Sequence, residues 1–266
     1  MTTEPVVLLE TAENGRIWII TMNRPHRLNA MGDGLTGELT KTWKAFRDDP
    51  EARVAILTGA GRAFSAGADL KETSDRREAE AQGEPTRSRE EGWTPLSESI
   101  DLWKPTIAAV NGFAVAGGFM MAMQCDIRIA AEHAEFGIPE VRWNMPGAAW
   151  IAPLTRIIGL GHALELSLWG DARISSQRAY EIGFVNRVVP AGDLMDEARS
   201  WADRVLHLAP RAMRNIKEAL YRGYYMNPME VTPYAQALEY NLRGMEDSRE
   251  GPRAFSEKRT PIFKDE

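Results

Sequence analysis

The sequence predicts an α/β core in which helices cover sheets, followed by a helical C-terminal part. Twice, near residues 58 and 110, a short apolar run ends in a small-residue loop, and a helical pattern flanks it. The start of the chain reads as strands, and beyond Ala148 one helical pattern follows another.

Residues 6–10 and 17–22 are mostly apolar and flank Glu13-Asn14-Gly15-Arg16. Asn-Gly supplies the positive φ angles of a two-residue turn, so this segment is expected to be a hairpin. Leu35, Leu39, Trp43 and Phe46 recur at helical spacing and predict a helix over 35–46. Residues 54–58 form a β-branched strand ending at Gly59-Ala60-Gly61. Residues 71–92 are crowded with Glu, Arg, Gln and Gly and have little to bury, which predicts a mobile, charged flap. Strand character returns at 107–110 and ends at Asn111-Gly112. A Gly-rich turn then leads into a helix over 119–125 and a strand over 127–130. Helices are expected at 150–158, 163–168, 176–181 and 194–208, separated by Gly159, Gly161, Gly170, Gly183 and Pro190. The last sixty or so residues read as wholly helical.

The net charge of −6 is spread without a basic face, which argues against nucleic acid or an anionic membrane as partner. Cys125 is the only cysteine, so there is no internal disulfide and no cysteine-based zinc site, and a reducing compartment fits. His26, His133, His162 and His207 lack metal-ligand spacing. The first residues lack a signal-peptide pattern and no apolar run approaches the ~18 residues of a membrane helix, so a cytoplasmic protein is expected. Neither a phosphate-binding loop, nor a dinucleotide glycine pattern, nor a Gly-x-Ser-x-Gly elbow is present.

Three segments carry candidate chemistry. In residues 59–70 small side chains follow a buried strand, and such a turn is either plain strand-to-helix geometry or a place where a ligand approaches main-chain N–H groups. Residues 111–118 repeat the pattern, so two turns can aim two donors at one oxygen, the arrangement of an oxyanion hole. In residues 134–147, Glu140 follows a proline among large apolar residues. It is either a solvated loop glutamate or a desolvated carboxylate with its pKa raised toward neutrality.

In this order the three segments resemble the crotonase superfamily, the enoyl-CoA hydratase/isomerase family. So do Met22-Asn23-Arg24-Pro25-His26-Arg27-Leu28-Asn29-Ala30, residues 170–176 with Val185-Asn186-Arg187, and residues 251–259. The resemblance implies a spiral of ββα units over residues 1–190, an acyl-CoA-binding core. A C-terminal helical extension, 191–266, would serve as lid and oligomerisation element in a homotrimer or dimer of trimers. It places the oxyanion-hole donors on Ala68 and Gly117, makes Glu140 the acid/base, and sets Ala66, Asp69 and Leu70 near adenine. Arg27, and Lys258 from a neighbouring subunit, would meet phosphates. Coenzyme A is part of the substrate, and neither a separate cofactor nor a metal is expected.

The sequence departs from the two-glutamate hydratases of this family. Met120 stands where their first glutamate falls, and a thioether carries no exchangeable proton. Trp150, beside Ala149, adds bulk where many members have small residues. Besides hydration, the expected chemistry therefore includes enoyl-CoA isomerisation and aromatic hydroxyacyl-CoA hydratase-lyase reactions. A non-enzymatic acyl-CoA-binding protein is the reading from another class. The acyl group is expected to be set by residues 96–103, Trp143 and Trp150.

Overall fold

A computed structural model of the chain describes residues 4–32, 34–83 and 100–266. The opening hairpin pairs β1 (Val7–Ala12) with β2 (Ile17–Met22), Ala12 facing Ile17. Its connection uses four residues, and Glu13, Asn14 and Gly15 all have positive φ, so the turn is longer than the two-residue Asn-Gly turn expected.

Helix α1 (Leu35–Asp48) buries the four apolar residues that predicted it, and β3 (Val54–Gly59) is buried throughout. There follow β4 (Ala63–Ser65), α2 (Leu70–Ala81), β5 (Thr106–Val110), β6 (Phe113–Val115) and α3 (Gly117–Gln124). Next come β7 (Ile127–Ala131), β8 (Glu135–Gly137), a 3-10 turn at Glu140–Trp143, α4 (Ala148–Ile151) and α5 (Thr155–Leu168), with a non-helical Gly159 inside α5. The chain then forms β9 (Ile174–Ser175), α6 (Ser176–Glu181), β10 (Arg187–Val189) and α7 (Leu194–Val205). It ends in α8 (Pro210–Gly223), α9 (Pro228–Glu239) and α10 (Asp247–Glu257).

Two sheets result. One runs β1-β2-β3-β5-β7-β10, parallel except at the hairpin, and the other β4-β6-β8-β9, parallel except at β8-β9. Three successive turns of the chain, β3-β4, β5-β6 and β7-β8, each give a longer strand to the first sheet and a three-residue strand to the second, then a helix or 3-10 turn. Of these short strands, β4 and β6 lie within the segments read from sequence as small-residue loops, because three residues are too few to show a period of two.

The large sheet is covered on both faces, which is why its central strands are almost continuously apolar. Trp18, Ile20, Ala55, Leu57, Ala108 and Val110 face the core containing α1 and α3. Ile17, Ile19, Val54, Ile56, Ile107 and Ala109 face Leu194, Ala198 and Ala202 of α7. Helix α8 is pinned to the start of β7, where Lys217 Nζ and Tyr221 Oη donate to the Asp126 carboxylate at 2.7 and 2.9 Å.

Two expectations are corrected. The expected flap begins as an ordered helix, α2, because the Asp69 carboxylate accepts from Lys71 and Glu72 main-chain N–H groups and Arg76 pairs with Glu80 one turn on. Local capping and charge pairing make this helix although it buries none of its residues; positions 84–92 of that reading lie outside the described residues. The C-terminus is not helical to its end either. Lys258 adopts a left-handed conformation, and the tail turns back so that Ile262 N–H donates to Glu250 and those of Lys264 and Asp265 to Asp247. Among the described residues no helix is long and apolar enough to cross a membrane.

Candidate active site

The first small-residue turn is shaped by a buried polar frame from residues 24–31. Arg24 N–H donates to Asn29 Oδ1 at 2.8 Å, and its guanidinium reaches Ala30 O at 2.6 Å, Asp69 Oδ2 at 3.3 Å and Glu72 Oε1 at 3.1 Å. Asn29 Nδ2 donates to Ala60 O and Ala63 O, and Ser65 Oγ bridges Asn29 O to the Gly67 N–H. Met31 N–H donates to Gly67 O at 2.7 Å while Asp69 N–H donates to Met31 O at 3.2 Å. This bridge uses the groups on either side of Ala68 and skips the Ala68 N–H.

The second turn meets the first at close range. Ala116 caps α3 with φ +53° and ψ −123°, a conformation rarely adopted by a residue with a Cβ and tolerated here because its N–H is held by Gly137 O at 2.9 Å. Gly117 is then the first helical residue, so its N–H has no acceptor within the helix and sits at the positive end of the helix dipole. A Cβ on Gly67 would lie 2.8 Å from Gly117 N, which shows how closely the two turns abut. Glycine, with φ +83°, is what lets them do so.

Glu140 opens the 3-10 turn after the short strand β8 and is 7% exposed. Its Oε2 is buried without a hydrogen-bond partner among the described residues, and burial pushes the carboxyl up to about 7, a shift only partly opposed by its own main-chain N–H. Gly147 packs against it: a Cβ there would lie 3.0 Å from Glu140 Cγ. Ala68, Gly117, Glu140 and Met120 all line one cleft of about 880 Å³, together with Ala66, Leu70, Trp143, Met145 and Trp150. Trp150 reaches the core through Phe119, ring centroids 6.4 Å apart, and Phe119 stacks on Phe184 at 4.2 Å.

Of the other predicted residues, Asp69 is buried and its carboxylate is committed to the α2 cap and to Arg24, so what it offers a ligand is its main chain. Arg27 is exposed in a 3-10 turn, Lys258 is exposed at the end of α10, and neither lines the cleft. The pocket segment expected at 96–103 lies, for 96–99, outside the described residues. Sequence reading assigned no role to Arg24, Asn29 and Ser65, the frame of the first turn. Their signal was the Asn23-Arg24-Pro25 and Asn29-Ala30 pattern, whose meaning depends on contacts 31 to 48 positions away.

Solved structures share this architecture. An enoyl-CoA hydratase from Bacillus anthracis superposes with a TM-score of 0.88 at 35% identity, over 98% of this chain and 100% of that one, which makes the fold that of the crotonase superfamily. A probable enoyl-CoA hydratase from Mycobacterium tuberculosis is 40% identical over 249 residues, 93% of this chain and 94% of the relative. An (E)-benzylidenesuccinyl-CoA hydratase from Thauera aromatica is 37% identical over 247 residues, 92% and 94% respectively. The enoyl-CoA hydratase/isomerase family model matches residues 12–266, and the chain belongs to that family of enzymes.

Proposed function

We propose that the enzyme acts on an acyl-CoA thioester through an enolate held between the Ala68 and Gly117 N–H groups, with Glu140 as its single acid/base. The observation that carries this reading is Glu140 Oε2, a buried, unpartnered carboxylate oxygen in the cleft where the two turns meet. In the hydration direction Glu140 takes a proton from water as hydroxide adds to Cβ. The electron pair of the double bond moves onto the thioester oxygen, and Glu140 returns the proton at Cα. Water exclusion strengthens the two donors as the charge develops. A carboxyl near 7 is divided between both forms at neutrality, as a group that must accept and then donate requires. The relatives named as hydratases support hydration of a conjugated thioester.

A second reading is favoured by Met120, which lines the cleft and cannot hold a proton. Isomerisation needs one carboxylate to move one proton between carbons, and an aromatic hydratase-lyase reaction likewise needs only Glu140. For the coenzyme we propose that the main chain at Ala66, Asp69 and Leu70 meets the adenine, Arg27 the phosphates, and Lys258 a neighbouring subunit's phosphates in a homotrimer or dimer of trimers. Phe255 at 88% and Met229 at 83% exposure on the C-terminal helices are apolar surface suited to such contacts, making that helical part both lid and assembly element. The lone buried thiol of Cys125 suits the reducing cytoplasm.

Glu140→Gln should lower turnover by ~10² or more and leave thioester binding in place. In deuterated water the wild type should exchange Cα protons of its thioester, and product analysis separates added water from a moved double bond. Near-normal turnover of Glu140→Gln would remove Glu140 from the mechanism.

A further inference from the structure

The geometry points to Arg77 as an anchor for an anionic group at the far end of the acyl chain, so that the favoured substrates are thioesters bearing a second, distal carboxylate. This deepens, and rests on, the acyl-CoA reading above.

Among the described residues, four charged side chains line the cleft: Arg76, Arg77 and Glu80 from α2, and Glu140. Arg76 lies 3.8 Å from Glu80 one turn on and is compensated. Arg77 has no carboxylate within ion-pair distance among the described residues. Its hydrogen bond runs from Nη2 to Met145 Sδ at 3.6 Å, across the cleft from α2 to the opposite wall. A thioether is a weak acceptor, so the guanidinium keeps its charge and most of its donors available, on a chain whose net charge is −6.

The position of that cation selects the acyl end. Met145 belongs to the segment that carries the acid/base group, since its N–H donates to Glu140 O at 3.0 Å. Arg77 stands seven residues past Leu70, about 10 Å along the helix axis, and its side chain leans back toward the N-terminus, that is, toward Ala68. A group bound there is several carbons from the thioester carbonyl, and the apolar chain between would lie against Met120, Trp143 and Trp150. The planar guanidinium fork matches a carboxylate through two parallel hydrogen bonds.

The test compares adipoyl-CoA with hexanoyl-CoA, which differ by the distal carboxylate, by calorimetric titration of the full-length protein. Both are saturated, so the binding ratio reads Arg77 independently of any acid/base role of Glu140. The wild type should bind adipoyl-CoA about tenfold more tightly, Arg77→Gln should bring the ratio near one, and Arg77→Lys should restore part of it. Arg77 is exposed, so its replacement leaves the packed core untouched, and circular dichroism checks that the variants fold. A wild type without preference, or a ratio unchanged in Arg77→Gln, overturns the proposal. Equal weakening of both thioesters also overturns it and assigns the cation to the coenzyme phosphates. If neither thioester binds the wild type, the acyl-CoA reading fails together with it.

Discussion

Gly67→Ala tests whether the Ala68 and Gly117 N–H groups, proposed above as the oxyanion donors, are held in place by contact between their turns. At φ +83° a Cβ would sit 2.6 Å from Ala116 Cβ, 2.8 Å from Gly117 N and 2.8 Å from Val115 O. These neighbours are main chain or fixed rigidly to it, so no side-chain rotation relieves the overlap. The left-handed conformation costs a residue with a Cβ roughly 1–2 kcal/mol, and forcing atoms into a filled site costs roughly 1–3 kcal/mol more. A loss of about 2–5 kcal/mol in stability follows. Restoring normal contact also requires the turns to separate by roughly 1 Å, a displacement that costs on the order of 10² in rate, comparable to removing one donor.

Gly117→Ala is the control. Its Cβ would meet Met31 Cε at 2.1 Å and Sδ at 3.1 Å, the mobile end of a flexible side chain, with Gly67 Cα at an ordinary 3.4 Å. The rate should fall by no more than about tenfold, because Met31 can swing away. The assay is kcat and KM from the ultraviolet absorbance of a conjugated enoyl thioester, with thermal melts and thioester binding on the same samples. A Gly67→Ala enzyme with a kcat within about threefold of wild type would refute the reasoning, as would an equal loss in both variants.

Because the folded Glu140 carboxyl is raised from 4.5 to about 7, it opposes folding once ionised, so this residue's contribution to stability falls as pH rises from about 4.5 through 7. Denaturant midpoints should therefore show Glu140→Gln gaining on the wild type across that window and holding level above it, and a constant difference would contradict the burial argument. Arg24→Ala strips partners from the buried Asp69 carboxylate and from Ala30 O, and should cost about 3–5 kcal/mol in urea unfolding, with kcat falling as the Ala68 turn loosens. Arg24→Lys should recover only part of either, since one ammonium cannot span the same acceptors.

Much of the fold was legible because its large elements are periodic. Leu35, Leu39, Trp43 and Phe46 mark α1, and the residues buried on both faces of β3 mark a central strand. The second sheet was not legible, since strands such as Ala63–Ser65 and Ile174–Ser175 are defined by pairing with distant segments rather than by local preference. The helix at 70–81 has no apolar periodicity to mark it in the sequence; the Asp69 cap and the charge pairs decide it. Glu140 was singled out by its apolar neighbours, which are local in sequence; the Arg24, Asn29 and Ser65 frame was not, because its partners are remote.

By itself the sequence determined the α/β class, the two small-residue turns and the apolar setting of Glu140, all of which are written in residues close together along the chain. Only the tertiary structure decided that the Gly67 and Gly117 turns touch, that Glu140 Oε2 is left without a partner, and that Arg77 reaches across to Met145. Each of these depends on how segments tens of residues apart are brought together by the stacking of two sheets, and a carboxylate's pKa or a donor's direction follows from that burial rather than from its neighbours in sequence.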